Sequence, residues 1–235
     1  MPIAIDKPSK YFNTVLYTGD GNTARAVTGA SFQPDFVWIK ERTGTYGHHL
    51  HDRVRGASAG ALFSNETGAE ASVYPLTSFD SDGFTTGSST QNRNGYNLVS
   101  WLWKANGAGA SNTSGSITST VSASQTSGFS IVSYTGTNAN ATVGHGLGVA
   151  PKFIIVKSRS DVASWHCYHS KLTDANYYIL LNSTSAQASQ TSIWQGTAPT
   201  SSVFSIGVNG STNANGSTYI AYCFAEVKGF SKLLS

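Results

Sequence analysis

The chain is poor in charge. Of its 235 residues only 11% are Asp, Glu, Lys or Arg, where an ordinary soluble domain carries about a quarter. It holds two cysteines, too few for a disulfide scaffold and without zinc-ribbon spacing. No apolar run reaches the roughly 18 residues of a membrane span, and Met1–Asp6 lacks the charged start and long apolar stretch of a secretory signal. The expectation is a soluble chain made in the cytosol. The net charge of +3 is small, and its basic residues form no patch interleaved with aromatics, which argues against nucleic-acid binding. The sequence has no P-loop and no dinucleotide fingerprint, so no cofactor is implied.

What fills the space is uncharged hydrogen-bonding chemistry: 34 Ser, 25 Thr, 15 Asn and 24 Gly. Apolar residues make up 39%, with 11 Phe, 11 Tyr and 5 Trp, enough to build a core and to argue against disorder. Ser, Thr, Asn, Gly and the aromatics form helices poorly, and no window keeps a helical apolar stripe beyond two turns. Long helices are therefore not expected.

The chain repeats itself at a shift of 117 positions. Tyr17-Thr18-Gly19 falls on Tyr134-Thr135-Gly136, and Pro34-Asp35-Phe36-Val37-Trp38-Ile39-Lys40 falls on Pro151-Lys152-Phe153-Ile154-Ile155-Val156-Lys157. From Phe12 to Ser72 the register holds without a gap and contains 17 identities in 61 positions. Trp101-Leu102-Trp103 then meets Tyr222-Cys223-Phe224 at a shift of 121. Such periodicity predicts tandem copies of one unit: a first repeat over 1–105, a Gly/Ala/Ser/Asn linker over 106–114, and a second repeat over 115–235. The linker reads as flexible from composition. Ile117 to Val121 carry strand-forming residues, and Ile3-Ala4-Ile5 sits comparably before Phe12, so each repeat is expected to open with a short strand.

Within each repeat the strand signals dominate. Phe36–Ile39 and Phe153–Val156 are apolar runs of four, as for central strands buried on both faces, while Phe12–Leu16, Phe129–Ser133 and Ile220–Ala225 alternate as half-buried strands do. Turn clusters such as Asp80-Ser81-Asp82-Gly83 and Asn92-Arg93-Asn94-Gly95 separate the runs. The predicted fold is all-β: two tandem, homologous antiparallel β-sandwiches, jelly-roll-like.

His48, His49, His51, His166 and His169 are the tempting chemistry, because His49 and His51 share one face of a strand and two such imidazoles can ligate a metal. The repeat argues against it. His48 aligns with Trp165, His51 with Tyr168 and Asp52 with His169, leaving only His49 and His166 in common. A hydrogen-bonded histidine on an aromatic strand is the expectation, with no metal. Cys167 and Cys223 align with Leu50 and Leu102, so buried free thiols are expected, a mutual disulfide being the alternative. Asp80 and Asp82 resemble half of a calcium loop, yet an Asx turn needs no cation and the aligned residues are Thr200 to Val203. Glycoside cleavage needs two carboxylates across a cleft. Glu41, Asp52, Glu66 and Glu70 all align with non-acidic residues, so no enzyme is expected. The basic excess lies in the second repeat, with six basic and three acidic residues over 128–235, which points to incidental variation or to an acidic partner surface.

The string Lys7-Pro8-Ser9-Lys10-Tyr11-Phe12-Asn13-Thr14-Val15-Leu16-Tyr17-Thr18-Gly19, then Gln33–Lys40, Leu76–Phe84, Val143–Leu147 and Tyr219–Val227, resembles a module of virion proteins of marine tailed bacteriophages. The resemblance runs from about Asp6 to Lys232, and longer relatives continue into further domains beyond the segment matching Gly229–Lys232. It implies a structural or tail-fibre-like setting and supplies no catalytic or binding residues. The resulting expectation is a non-enzymatic virion protein, made in the host cytoplasm. It would be displayed on the particle exterior as a decoration or accessory subunit docking on capsid or tail, one domain anchoring while the other projects. Its partners would be other virion proteins and further copies of itself, as a homo-oligomer. The alternative is a tail-fibre adhesin that binds host surface glycan through Trp165, Tyr177, Tyr178 and Trp194, provided those rings are exposed and roughly coplanar.

Overall fold

Pro34 and Pro151 each stand two residues before a strand, and the apolar runs that follow become the middle of a sheet. The computed structural model describes residue 5 and residues 7–233, so Ile3 and Ala4 of the expected opening strand lie outside the described residues. The first half contributes β1 (Phe12–Thr18), β2 (Ala26–Thr28), β3 (Phe36–Glu41), β4 (His49–Asp52), β5 (Leu62–Phe63), β6 (Leu76–Asp80), β7 (Gly83–Thr86) and β8 (Asn97–Trp103). The second half contributes β9 (Ala110–Asn112), β10 (Ser119–Ser124), β11 (Phe129–Thr135), β12 (Ala141–Gly144), β13 (Phe153–Ser158), β14 (His166–His169), β15 (Tyr177–Leu180), β16 (Ala188–Ser189), β17 (Val203–Ile206) and β18 (Thr218–Phe224). The described residues also hold two four-residue α-helices, α1 (Thr191–Trp194) and α2 (Gly210–Asn213), and two 3-10 turns, Pro8–Lys10 and Ser89–Gln91. The fold is all-β, and its named strands pair antiparallel.

Strand order in the first large sheet is β1-β8-β3-β4-β5. The second large sheet runs β16-β15-β14-β13-β18-β11-β10-β9 and contains the same order, β11-β18-β13-β14-β15, in its middle. Small sheets, β2-β7-β6 and β12-β17, lie on the outside of each half. Between the first large sheet and its small partner sits a core that includes Val37, Ile39, Leu102, Val27 and Phe84. Its counterpart in the second half gathers Ile154, Val156, Ala221, Val143 and Phe204.

A third core joins the halves. Phe36, Leu50 and Leu62 of the first large sheet pack against Phe129, Ile131, Trp165 and Tyr222 of the second. The Phe36 and Tyr222 rings lie 4.4 Å apart between centroids. Period-2 alternation explains how one strand serves two cores. On β3, Val37 and Ile39 turn outward to their own sandwich while Phe36 turns inward; on β18, Ala221 and Cys223 face one core while Ile220 and Tyr222 face the other.

Two expectations change here. Strands β11 and β18 are buried on both faces rather than half-buried, because the face expected to meet water meets the other large sheet. The Gly/Ala/Ser/Asn stretch 106–114 is also not a free tether. Asp35 accepts from the Ala105 and Gly107 amides at 2.7 and 3.1 Å, Asn106 donates to Ser122 Oγ at 2.8 Å, and Ala110–Asn112 pair with β10 as β9. Composition registers small polar residues as coil, but these make backbone bonds that fix the segment. With a shared core and a bonded connection, neither half projects from the other.

Candidate functional site

Of the four residues expected to greet a glycan, Trp165, Trp194 and Tyr178 are divided between two cores. Trp165 is fully buried in the central core, where its Nε1 donates to the carbonyls of Phe63 and Glu66 at 2.9 and 3.1 Å. Trp194, on α1, is buried in the second sandwich core and meets Tyr168 edge-on at 6.2 Å. Tyr177 and Tyr178 are half-buried neighbours on β15, so they turn to opposite faces, and Tyr178 leans on His166 at 5.0 Å. No shared platform forms from these rings, although the sequence expectation grouped them. The physical reason is that aromatic content does not distinguish a sugar-stacking ring from a core ring. Trp165→Phe is expected to cost about 1–3 kcal/mol, since a smaller ring underfills a fully buried site and the part-buried Phe63 and Glu66 carbonyls lose their indole donor; urea unfolding measures it.

The histidines are packing groups. His49 and His51 stack nearly parallel, 6.5 Å apart, with Phe63 and Tyr74 against His49. Burial, with the positive charges of His48 and Lys40 adding, pulls His49 down to about 4, and burial holds His51 well below the usual imidazole range. The Gln91 side-chain amide lies 2.9 Å from His51 Nε2; with that ring nitrogen accepting, the proton sits on Nδ1, which is buried without a partner. His166 is buried with Nδ1 3.2 Å from the Ser164 carbonyl. Among the described residues, no group of three or more His, Cys, Asp or Glu side chains gathers where it could hold a metal ion. At the β6–β7 turn Asp80 accepts from the Ser78 and Thr85 hydroxyls at 2.6 and 2.7 Å, and Asp82 from the Gly29 and Ser31 amides at 3.1 and 2.6 Å. All four carboxylate oxygens thus face protein donors. Cys167 and Cys223 are free and buried, and burial pushes both thiols up to about 12.

The carboxylates peculiar to the first half have a different use. Asp52 Oδ2 accepts from Arg55 Nε at 2.6 Å and from the Tyr222 hydroxyl at 2.9 Å. Both Asp52 and Arg55 side chains are fully buried. Glu70 Oε2 lies 3.4 Å from Arg55 Nη1 and 2.6 Å from Arg159 Nε, and the Glu70 amide donates to the Arg159 carbonyl at 2.9 Å. Part of the acidic surface sought for the basic second half is therefore the first half itself. Burial drags Lys157 down to about 8, yet three carbonyls take its ammonium: Ser158, Asp161 and, across the junction, Thr67. Lys40, 117 positions earlier, is cupped in the same way by the carbonyls of Glu41, Gly44 and Tyr46. Asn65 and Asn182 match likewise, each accepting a backbone amide at 2.9 Å, from His48 and Trp165. Sequence reading passed over these groups, although both pairs are identities in the 117-residue register.

Two hollows mark the outside of the junction. Where the large sheets end, Phe12, Trp103, Phe129, Phe224, Phe230 and Leu233 line an apolar groove of about 230 Å³. Asn65, Leu181, Asn182, Ser183 and Thr184 line a shallower polar one. No helix among the described residues is long and apolar enough to cross a membrane.

No curated protein and no solved structure matches the chain. Residues 7–235 match a family described as a domain of unknown function, DUF7483. The match covers both halves and the connection between them, and the chain belongs to that family.

Proposed function

We propose that the chain is a non-enzymatic structural protein of a tailed phage virion, a rigid decoration or accessory subunit docking on capsid or tail. It is built from two copies of one unit, each a jelly-roll-like sandwich of a large and a small sheet. The observation that carries this reading is where the chain spends its chemistry. Asp52, Arg55, Glu70 and Arg159 are drawn into joining the halves, and Trp165 and Trp194 into cores, so these groups are spent on packing rather than gathered in an open cleft. The duplication is supported by the strand order common to the large sheets and by the matched roles of Lys40 with Lys157 and Asn65 with Asn182.

A second reading, an adhesin for host glycan, is favoured by one surface feature outside the residues first suspected. Arg93 lies between Tyr46, 46% exposed, and Tyr96, at 5.0 and 3.7 Å from their ring centroids. Immunogold electron microscopy of intact particles tests both readings. Label over the head or along the tail supports the docking subunit, and label confined to the distal tail supports the adhesin. Particles purified free of the chain overturn both.

A further inference from the structure

Strand β1 ends the first large sheet, and among the described residues no strand lies beyond it. Its counterpart β11 is covered on that side by β10. Proteins shield exposed edges with charge, proline, bulges or brevity; β1 is seven residues long, Phe-Asn-Thr-Val-Leu-Tyr-Thr, without charge or proline, and its register with β8 is unbroken. Leu16 stands 62% exposed on it.

The unpaired groups follow from the ladder. Lys104 N donates to Tyr11 O, and Gly19 N to Tyr96 O, both at 2.8 Å. By antiparallel alternation Asn13, Val15 and Tyr17 bond inward to β8, while Thr14, Leu16 and Thr18 present their backbone to the outside. Two outward groups are already taken: the Thr14 amide donates to Asn13 Oδ1 at 2.9 Å, and the Thr18 carbonyl accepts from the Arg25 guanidinium. Among the described residues this leaves without partners the Leu16 amide and carbonyl, the Thr14 carbonyl and the Thr18 amide.

The geometry points to a second copy of this chain pairing antiparallel along β1, across a two-fold axis through Leu16. In that register each Leu16 amide meets the other copy's Leu16 carbonyl, and each Thr18 amide meets the other copy's Thr14 carbonyl. The two groups that the register would set against each other without need, the Thr14 amide and the Thr18 carbonyl, are the two satisfied within the chain. The Leu16 side chains face each other across the axis, and two five-stranded sheets become one. A two-fold contact of this kind is self-complementary and closed. It does not depend on a virion setting.

Sedimentation velocity on the purified full chain tests it, with Leu16→Lys and, as a control at another exposed apolar position, Val162→Lys, Val162 being 76% exposed. Like charges directly opposite across a sheet repel. The wild type and Val162→Lys should sediment at twice 24.8 kDa and Leu16→Lys at 24.8 kDa, with unchanged circular dichroism. A wild type at the single-chain mass overturns the inference. That result is expected if a segment of the same chain outside the described residues covers the edge. A Leu16→Lys variant that keeps the doubled mass, or a Val162→Lys variant that loses it, also overturns it. Immunogold labelling is blind to this contact, so the two proposals fail separately.

Discussion

Asp52→Ala is expected to destabilise the protein by about 3–5 kcal/mol, the range for breaking a buried ion pair by removing one partner. The variant leaves the Arg55 guanidinium in the interior without its carboxylate at 2.6 Å and strips the Tyr222 hydroxyl of its acceptor. Glu70, at 3.4 Å from Arg55 and already engaged by Arg159, compensates only in part. Removing Asp52, Arg55 and the Tyr222 hydroxyl together should cost less, because the apolar replacements leave no guanidinium without its carboxylate. Urea unfolding of Asp52→Ala beside Asp52→Leu/Arg55→Met/Tyr222→Phe checks both statements. A loss below about 1 kcal/mol in the single variant, the scale of an exposed pair, would show that the network does not hold the halves together.

Acid is expected to weaken the fold well above the range in which carboxylates titrate. His49 stays neutral in the folded protein down to about 4, whereas in the unfolded chain it takes a proton near its ordinary value of 6.5. Below 6.5 the unfolded state therefore binds the extra proton. Stability is complete above that pH and falls as pH drops towards 4, by about 1.4 kcal/mol for each pH unit. From His49 alone the loss is about 2 kcal/mol by pH 5. His51, His145 and His166 are also held below their usual range by burial and act in the same direction. Urea midpoints at pH 7.5 and pH 5, for wild type and His49→Gln, measure the effect as a difference between the two pH values. A His49→Gln protein with the full wild-type loss would remove His49 from the account.

The fold class was legible because it rests on local rules. Phe36–Ile39 and Phe153–Val156 lie in the middle of their sheets, as continuous apolar runs should. The central core was not legible, and the reason is specific. Aligning the halves sets like against like, Phe36 beside Phe153, whereas the packed contacts join residues that do not correspond: Phe36 with Tyr222, Asp52 with Tyr222, Glu70 with Arg159. Sequence similarity reveals what two copies share and is silent on how they touch. The same blindness put Trp165 among candidate contact residues, since nothing local distinguishes a tryptophan that caps a neighbouring loop from one that waits for a ligand. For residues 106–114 the misleading signal was composition, which does not register that Asp35, seventy positions away, holds the Ala105 amide.

The inward face of β18 has a consequence for how this molecule changes over generations. Each half of the central core is the other half's solvent substitute, so a substitution at Tyr222 is judged by Asp52 and Phe36 rather than by its own sandwich. Exchange of one half between relatives would unite faces that have drifted under different neighbours. Recombination should therefore spare chimaeras that inherit both halves from one parent and discard those joined at the connection, although by length alone that connection is the natural place to cut.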